Sequence, residues 1–143
     1  MSPPHPSASA RRPSNLEELT LDECQERLAA TAVGRLAFCT AEGPRILPIN
    51  YAVADGNVYF RTTPEGSLAS HAEGEPVAFE IDEADDFLKA GWSVLVLGVA
   101  QRIDDADLPQ SLGAKPASWA AGQHSIAVRI TTSQVTGRRI HSA

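Results

Sequence analysis

Short runs of alternating apolar and polar residues follow one another from position 35 to position 140, which is the pattern of half-buried β-strands. The predicted strands cover residues 35–40, 45–53, 57–62, 76–82, 92–103 and 124–132, with a further extended piece at 136–140. Asp55-Gly56 predicts a tight hairpin between the second and third strands. Residues 92–103 are apolar on both faces, so we expect a central strand that is covered on both sides.

A helical pattern precedes these strands at residues 20–30. Thr20 followed by Glu23 predicts a capping box at the start of the helix. Leu21, Cys24 and Leu28 then recur on one face. Residues 64–74 predict a loop with a second short helix, and residues 83–91 an acidic connection.

About six strands with few helices predict a mainly β protein, because antiparallel strands that share one core tend to close into a barrel. No alternation of strands and helices supports a parallel sheet. The Pro- and Ser-rich residues 1–14 have little to bury and predict a disordered arm, which leaves 15–143 as a single domain.

Composition excludes some functions. The formal net charge of −6 argues against a broad nucleic-acid surface. Cys24 and Cys39 show no zinc-site spacing and predict two buried, reduced thiols. No apolar run approaches the ~20 residues that span a bilayer, and no secretory signal is visible. We therefore expect a cytoplasmic protein without nucleic-acid or membrane partners and without a metal site.

The segment 60–67 is the strongest candidate for binding an anion. Arg61 lies near a strand end, with hydroxyls at Thr62 and Ser67 close in sequence and a turn shaped by Pro64 and Gly66. A guanidinium with hydroxyls and free amides suits a phosphate group. The alternative is that Arg61 forms a surface ion pair and the hydroxyls only cap the helix.

Two further segments are candidates for contact with a polar ring. Asn50 and Tyr51 interrupt an apolar strand, and an amide there offers both a donor and an acceptor. Trp92 opens a buried strand and is followed by Ser93. In each segment the alternative is a structural role, namely a half-buried Tyr, an Asn with backbone partners, or a Trp in the core or at a dimer interface.

Catalytic side-chain sets are missing from the sequence. The histidines at 5, 71, 124 and 141 have no neighbouring nucleophile motif. Glu80 and Asp82 share a strand face, which is more typical of a solvated edge than of an acid/base pair. No catalytic residue is assigned, and the chemistry is expected to belong to a bound cofactor.

Six motifs in order resemble the pyridoxamine 5′-phosphate oxidase-like flavoproteins, in a small branch related to nitroimidazole-resistance proteins. They are GRLAF, PINY, VYFRT with a following GS, VAFEID, GWSVLVLGVA and TGRRI, and they cover residues 19–140. The resemblance implies an FMN-binding split β-barrel that is antiparallel, six-stranded and Greek-key-like. It also implies a homodimer with two flavin sites at the subunit interface.

The resemblance assigns roles to particular residues. Arg61, Thr62 and Ser67 would hold the phosphate of FMN. Asn50 and Tyr51 would lie along the flavin ring. Trp92 and Ser93 would approach the flavin from the same subunit or from the other subunit. Many relatives carry a lysine where this chain has Leu68, and the loss of that cation would weaken FMN binding.

Three functions follow as expectations. The first is an FMN-dependent oxidoreductase that acts on a small molecule. The second is a deazaflavin-dependent reductase of the same fold. The third is a non-catalytic module that binds a flavin or haem.

Overall fold

The computed structural model describes residues 16–112 and 125–141, which form an eight-stranded sheet with two helices and two short 3-10 turns. In chain order the elements are β1 (Leu16–Glu18), α1 (Leu21–Ala30), β2 (Val33–Thr40), β3 (Gly43–Asn50), β4 (Ala52–Ala54), β5 (Asn57–Thr62), α2 (Ser67–His71), β6 (Pro76–Asp85), β7 (Ala90–Ile103), the 3-10 turns Asp105–Asp107 and Gln110–Leu112, and β8 (Ile126–Ile140).

The strands pair in the order β3-β2-β6-β7-β8-β5-β4, with β1 added to β8, and every pairing between them is antiparallel. The prediction of a mainly β, antiparallel fold is confirmed. β3 at one edge approaches β5 near the other edge, so the sheet curls towards a barrel. Among the described strands, hydrogen bonds do not close it.

The strand count differs from the predicted six for local reasons. The predicted second strand breaks at Tyr51, whose amide donates to Ala32 instead of to a neighbouring strand. The final strand is continuous through 136–140 because it pairs with β7 along most of its length. β6 and β7 extend into the predicted acidic connection, where only residues 86–89 remain as the turn.

One β-bulge bends the long β7–β8 pair. The register shifts between Leu97 and Gly98, and Ser133 donates to the Leu97 carbonyl there. A Cβ at Gly98 would lie 2.3 Å from the backbone oxygen of Thr131. Glycine is therefore required where the two backbones approach most closely.

The inward faces of β2, β5, β6, β7 and β8 form the main core. Its largest fully buried side chains include Phe60, Phe79, Leu36, Ile81 and Ile130. A smaller cluster on the other face of β4 and β5 contains Tyr59, Ala52, Ala54 and Leu112, with Leu108 packed against it. The strand β5 is thus covered on both faces.

Helix α1 begins as predicted. Glu23 donates its amide to the Thr20 hydroxyl at 3.1 Å, and Thr20 donates its amide to the Glu23 carboxylate at 2.9 Å. Cys24 and Leu28 are buried, but Leu21 is 60% exposed, so the predicted three-residue face packs through two residues. The Asp55-Gly56 hairpin is also confirmed, with φ of +53° and +79°.

The outward face of the sheet carries an apolar row. Ile46, Ala37, Ala78 and Leu97 lie side by side across β3, β2, β6 and β7. Ile46 is 66% exposed. Cys39 is on the same face, opposite Pro44, and is exposed, so the prediction of two buried thiols holds only for Cys24.

Some expectations lie outside the described residues, namely the arm at 1–14 and the histidines at 5 and 124. In the described part of the chain, no helix is both long and apolar enough to cross a bilayer.

Candidate functional site

Arg61 lies at the end of β5, and only 13% of its side chain is exposed. It points to the same face as Tyr59, so it borders the smaller apolar cluster. Its guanidinium donates to the Ser125 hydroxyl at 3.3 Å and forms an ion pair with Asp105 at 3.1 Å. The structure therefore gives Arg61 an ion-pair partner within the chain, as in the ion-pair alternative, although the arginine itself is largely shielded from solvent.

The loop after Arg61 brings two hydroxyls together over a glycine. A Cβ at Gly66 would lie 3.1 Å from the Thr63 hydroxyl oxygen and 3.9 Å from that of Thr62. Because Gly66 has no side chain, this space remains open to a ligand oxygen. Thr62 points to the face of β5 opposite Arg61, so a ligand held by both would have to wrap around the strand end.

Helix α2 contributes less than the sequence predicts. It has five residues, so its dipole is small, and Ser67 at its start is exposed. Leu68 is 4% exposed and belongs to the main core. The position where many relatives carry a lysine therefore faces inward here.

Asn50 and Tyr51 have opposite environments. Asn50 is the last residue of β3 and is exposed. Tyr51 is 4% exposed; its hydroxyl donates to the Leu28 carbonyl at 2.7 Å, and its ring contacts Phe79 edge-on at 4.7 Å between centroids. Burial raises the pKa of Tyr51 to about 12. The Tyr51 side chain is thus occupied in the core, and a ligand along this segment would contact Asn50 or the backbone.

Trp92 lies near the start of β7, where its ring is half-buried against the main core. The Arg27 guanidinium stacks over the ring at 4.5 Å from its centroid. Trp92 also borders a surface cavity of about 270 Å³ that Arg139 and Glu83 line as well.

Ser93 lines a separate cavity of about 390 Å³ between β1 and the ends of β7 and β8. Leu95, Thr136 and Arg138 are among its other lining residues. Glu17 and Glu18 line it as well, so the cavity combines a cation, hydroxyls and two acidic side chains.

Within the chain the seven candidate residues fall into two groups, one around Arg61 and one around Trp92. Arg61 lies opposite Ala127, which pairs with Ile103 at the end of β7. Trp92 pairs with Arg139 at the start of β7. At about 3.3 Å per residue, the path along β7 between Trp92 and Ile103 is about 36 Å. Arg61 and Trp92 therefore lie towards opposite ends of β7.

Comparison with known proteins decides the family. A family model described as pyridoxamine 5′-phosphate oxidase matches residues 20–139. The chain belongs to the pyridoxamine 5′-phosphate oxidase family. A protein of Mycobacterium tuberculosis, Rv0080, which is described as uncharacterised, is 34% identical over 145 residues, covering 98% of this chain and 95% of the relative. The family resemblance predicted from the sequence motifs is confirmed.

Solved structures agree with the assignment to the pyridoxamine 5′-phosphate oxidase family. An FAD-binding protein from Mycobacterium smegmatis is similar with a TM-score of 0.69 and 32% identity, covering 88% of this chain and 99% of that one. A Bacteroides thetaiotaomicron protein named for a proposed role in 5-nitroimidazole resistance is similar with a TM-score of 0.70 and 12% identity. The likeness covers 87% of this chain and 88% of that one. At that identity the likeness bears on the fold alone.

This family member also has an ionic cluster that the sequence did not indicate. Glu17 on β1 accepts hydrogen bonds from His141 and Arg139, and Arg139 also approaches Glu23 at 3.7 Å. The hydrogen bond from His141, followed by Arg139, lowers the pKa of Glu17. The three-residue strand β1 brings Glu17 to β8, and its short, polar sequence carries no strand pattern.

A second cluster explains the predicted carboxylate pair. Arg35 bridges Glu80 at 3.1 Å and Asp82 at 2.8 Å on the outward face of β2 and β6. Desolvation, followed by the neighbouring Asp82, raises the pKa of Glu80. Because all three side chains are partly solvated, the geometry agrees with the expected structural role. No described His, Cys, Asp or Glu residues cluster in a way that could hold a metal ion.

Proposed function

We propose that this member of the pyridoxamine 5′-phosphate oxidase family is an FMN-binding oxidoreductase that acts on a small molecule. The observation that carries the flavin in this proposal is the likeness to the M. smegmatis FAD-binding protein, which extends over 99% of that chain at 32% identity, whereas the choice of FMN follows from the resemblance of the sequence motifs. The same observation favours FAD as a second candidate cofactor, because the two flavins share the ring and differ beyond the first phosphate.

The residues around Arg61 fit a flavin phosphate in part. The largely buried guanidinium and the hydroxyls of Thr62 and Thr63 would supply donors, and Gly66 leaves space beside the two hydroxyls. A second cation is missing at Leu68. Donors of this kind recognise phosphate oxygens through charge-assisted hydrogen bonds, so we assign this end of β5 to the phosphate.

A bound flavin would supply hydride or electron transfer. The chain would position it: Arg61 and the hydroxyls would hold the phosphate, and Asn50 at the adjacent end of β3 would offer an amide to the polar edge of the ring. Trp92 would shield one side from water.

A homodimer with flavin at its interface would unite the two groups of site residues. Within one subunit, Arg61 on β5 lies near the end of β7, whereas Trp92 lies near the start of β7. In a two-fold dimer the same patch is used twice, so one subunit's Trp92 and Ser93 can approach the other's Arg61. We therefore assign Trp92 and Ser93 to the partner's flavin.

The outward face of the sheet supplies a surface for such a dimer. The row from Ile46 to Leu97 is apolar and uncovered, and a groove of about 510 Å³ runs beside it along Ala78 and Val99. Apolar strand faces of this kind are normally covered in soluble proteins.

The unlinked thiols Cys24 and Cys39 fit the cytoplasmic location expected from the sequence.

The cofactor is tested by titrating the purified protein with FMN, FAD and a deazaflavin, followed by absorbance and flavin fluorescence. Arg61→Ala should weaken FMN binding by about 10- to 150-fold, because a charged hydrogen bond contributes about 1.5–3 kcal/mol. Arg45→Ala is the matched control, since Arg45 is an exposed arginine that pairs only loosely with Glu42 at 3.8 Å. Equal affinities in the two variants would remove Arg61 from the site.

Turnover is tested separately with NADH or NADPH and a panel of nitro-compound and quinone acceptors. If the flavin-loaded protein neither oxidises NADH or NADPH nor reduces any acceptor, the result would favour a non-catalytic module that binds a flavin. Tight deazaflavin binding without FMN binding would favour a deazaflavin-dependent reductase.

The dimer is tested by light scattering at micromolar concentration. Ile46→Glu places a charge on the apolar row and should produce monomers, whereas Leu21→Glu changes an equally exposed leucine on α1 and should leave the dimer intact. A wild-type monomer would contradict the shared site.

A further inference from the structure

The anion already bound to Arg61 belongs to the chain itself. Asp105 approaches the guanidinium at 3.1 Å from the 3-10 turn that follows β7. Its own side chain is 69% exposed, although that of Arg61 is only 13% exposed. The ion pair thus joins a fixed, shielded cation to a carboxylate that reaches in from solvent.

The 3-10 turn does not depend on the Asp105 carboxylate for its shape. Asp107 donates its amide to the Asp104 carbonyl at 2.8 Å, and Leu108 donates to the carbonyl of Asp105 at 3.2 Å. Downstream, Leu108 and Leu112 pack against the cluster that contains Tyr59. The carboxylate of Asp105 can therefore leave Arg61 while the backbone bonds and the apolar contacts keep the turn in place.

A carboxylate and a phosphate compete directly for one guanidinium. Both present oxygen acceptors that match its fork of N–H donors. If Asp105 stayed in contact, its charge would repel a bound phosphate at close range. A phosphate therefore has to displace Asp105, and its apparent affinity is reduced by the strength of the ion pair.

We propose that Asp105 is an internal competitor that sets the affinity of the Arg61 site for the phosphate of a flavin nucleotide. The proposal rests on the proposed flavin function and adds a residue that limits it.

The test compares Asp105→Asn with Asp107→Asn. Both substitutions are isosteric, change the net charge equally and lie in the same 3-10 turn, but only Asp105 contacts Arg61. FMN affinity should rise about three- to fivefold in Asp105→Asn, the upper part of the range for release of a partly exposed ion pair, and less than about twofold in Asp107→Asn. Riboflavin, which lacks the phosphate, should gain nothing from either substitution.

The outcomes separate this inference from the proposed function. Equal FMN affinities in both variants, with wild type binding FMN, would overturn the role of Asp105 and leave the flavin function standing. An equal gain for riboflavin would also overturn it, because the effect would not involve the phosphate. FMN binding gained only by Asp105→Asn would support both. A failure of all three proteins to bind FMN or FAD would overturn both.

Discussion

Tyr51, which the sequence suggested as a residue along a ligand ring, connects helix α1 to the sheet through its hydroxyl. Its O–H donates at 2.7 Å to the carbonyl of Leu28. Leu28 is in the last turn of α1, where carbonyls have no partner within the helix. Tyr51→Phe removes that donor and leaves a buried acceptor unsatisfied. The free energy of unfolding should therefore fall by about 1–3 kcal/mol near pH 8.

The pKa of Tyr51 makes this difference depend on pH. The pKa rises from the ordinary tyrosine value of 10 to about 12 in the folded protein, so the folded state holds the proton more tightly. The stabilisation is fully present below pH 10 and is lost as the pH rises towards 12. With these values the loss is about 1.4 kcal/mol at pH 11. Phenylalanine has no such proton, so the gap between wild type and variant should narrow by that amount.

Urea unfolding of both proteins at pH 8 and pH 11, followed by tryptophan fluorescence, measures the gap. Tyr59→Phe is the control. It removes a phenol from the smaller cluster and leaves Tyr51 in the main core, so the free energy of unfolding should still fall between pH 8 and pH 11 through Tyr51. A gap that is equal at the two pH values would refute the assigned burial of the hydroxyl. FMN affinity should change less than about twofold in Tyr51→Phe, since the hydroxyl is engaged by Leu28.

Three further predictions concern the core and the shared site. Gly137→Ala should lower the free energy of unfolding, measured by thermal unfolding, by about 1–3 kcal/mol, because its Cβ would lie 2.6 Å from the sulfur of Cys24. Adding Cys24→Ala should recover part of that stability, and an unchanged stability in Gly137→Ala would contradict the contact. Leu68→Lys, although it restores the cation of many relatives, should lower the free energy of unfolding by about 2–4 kcal/mol, whereas Leu68→Met should cost less than about 1.5 kcal/mol. Mixing and refolding Arg61→Ala with Trp92→Ala subunits should restore about a quarter of the FMN sites, since one site in each mixed dimer has both residues; no recovery would place both residues in one subunit's site.

Local signals in the sequence predicted the elements whose causes are local. The capping box of Thr20 and Glu23 and the hairpin at Asp55-Gly56 each depend on residues within one turn, and both are present. The strand break at Tyr51 depends on an amide bond to Ala32 that follows from how α1 packs on the sheet. A pattern of alternating residues contains no information about that packing.

The same distinction applies to the candidate site. Arg61 could be singled out because a charged residue alternates with apolar ones near a strand end. Its partner Asp105 is distant in sequence and reaches it only because the segment after β7 folds back over Tyr59. Likewise, Leu68 could be recognised as a departure from the relatives, but its burial follows from the orientation of a five-residue helix.

The separation of Arg61 from Trp92 links the cofactor proposal to the dimer proposal. If both residues contact one flavin, a subunit alone contains two incomplete sites, so flavin affinity must depend on protein concentration near the dimer dissociation constant. Ile46→Glu should then weaken FMN binding although Ile46 touches no flavin. If that variant is monomeric and still binds FMN like wild type, the phosphate end at Arg61 is sufficient, and Trp92 belongs to the core packing that its contacts with Arg27 already indicate.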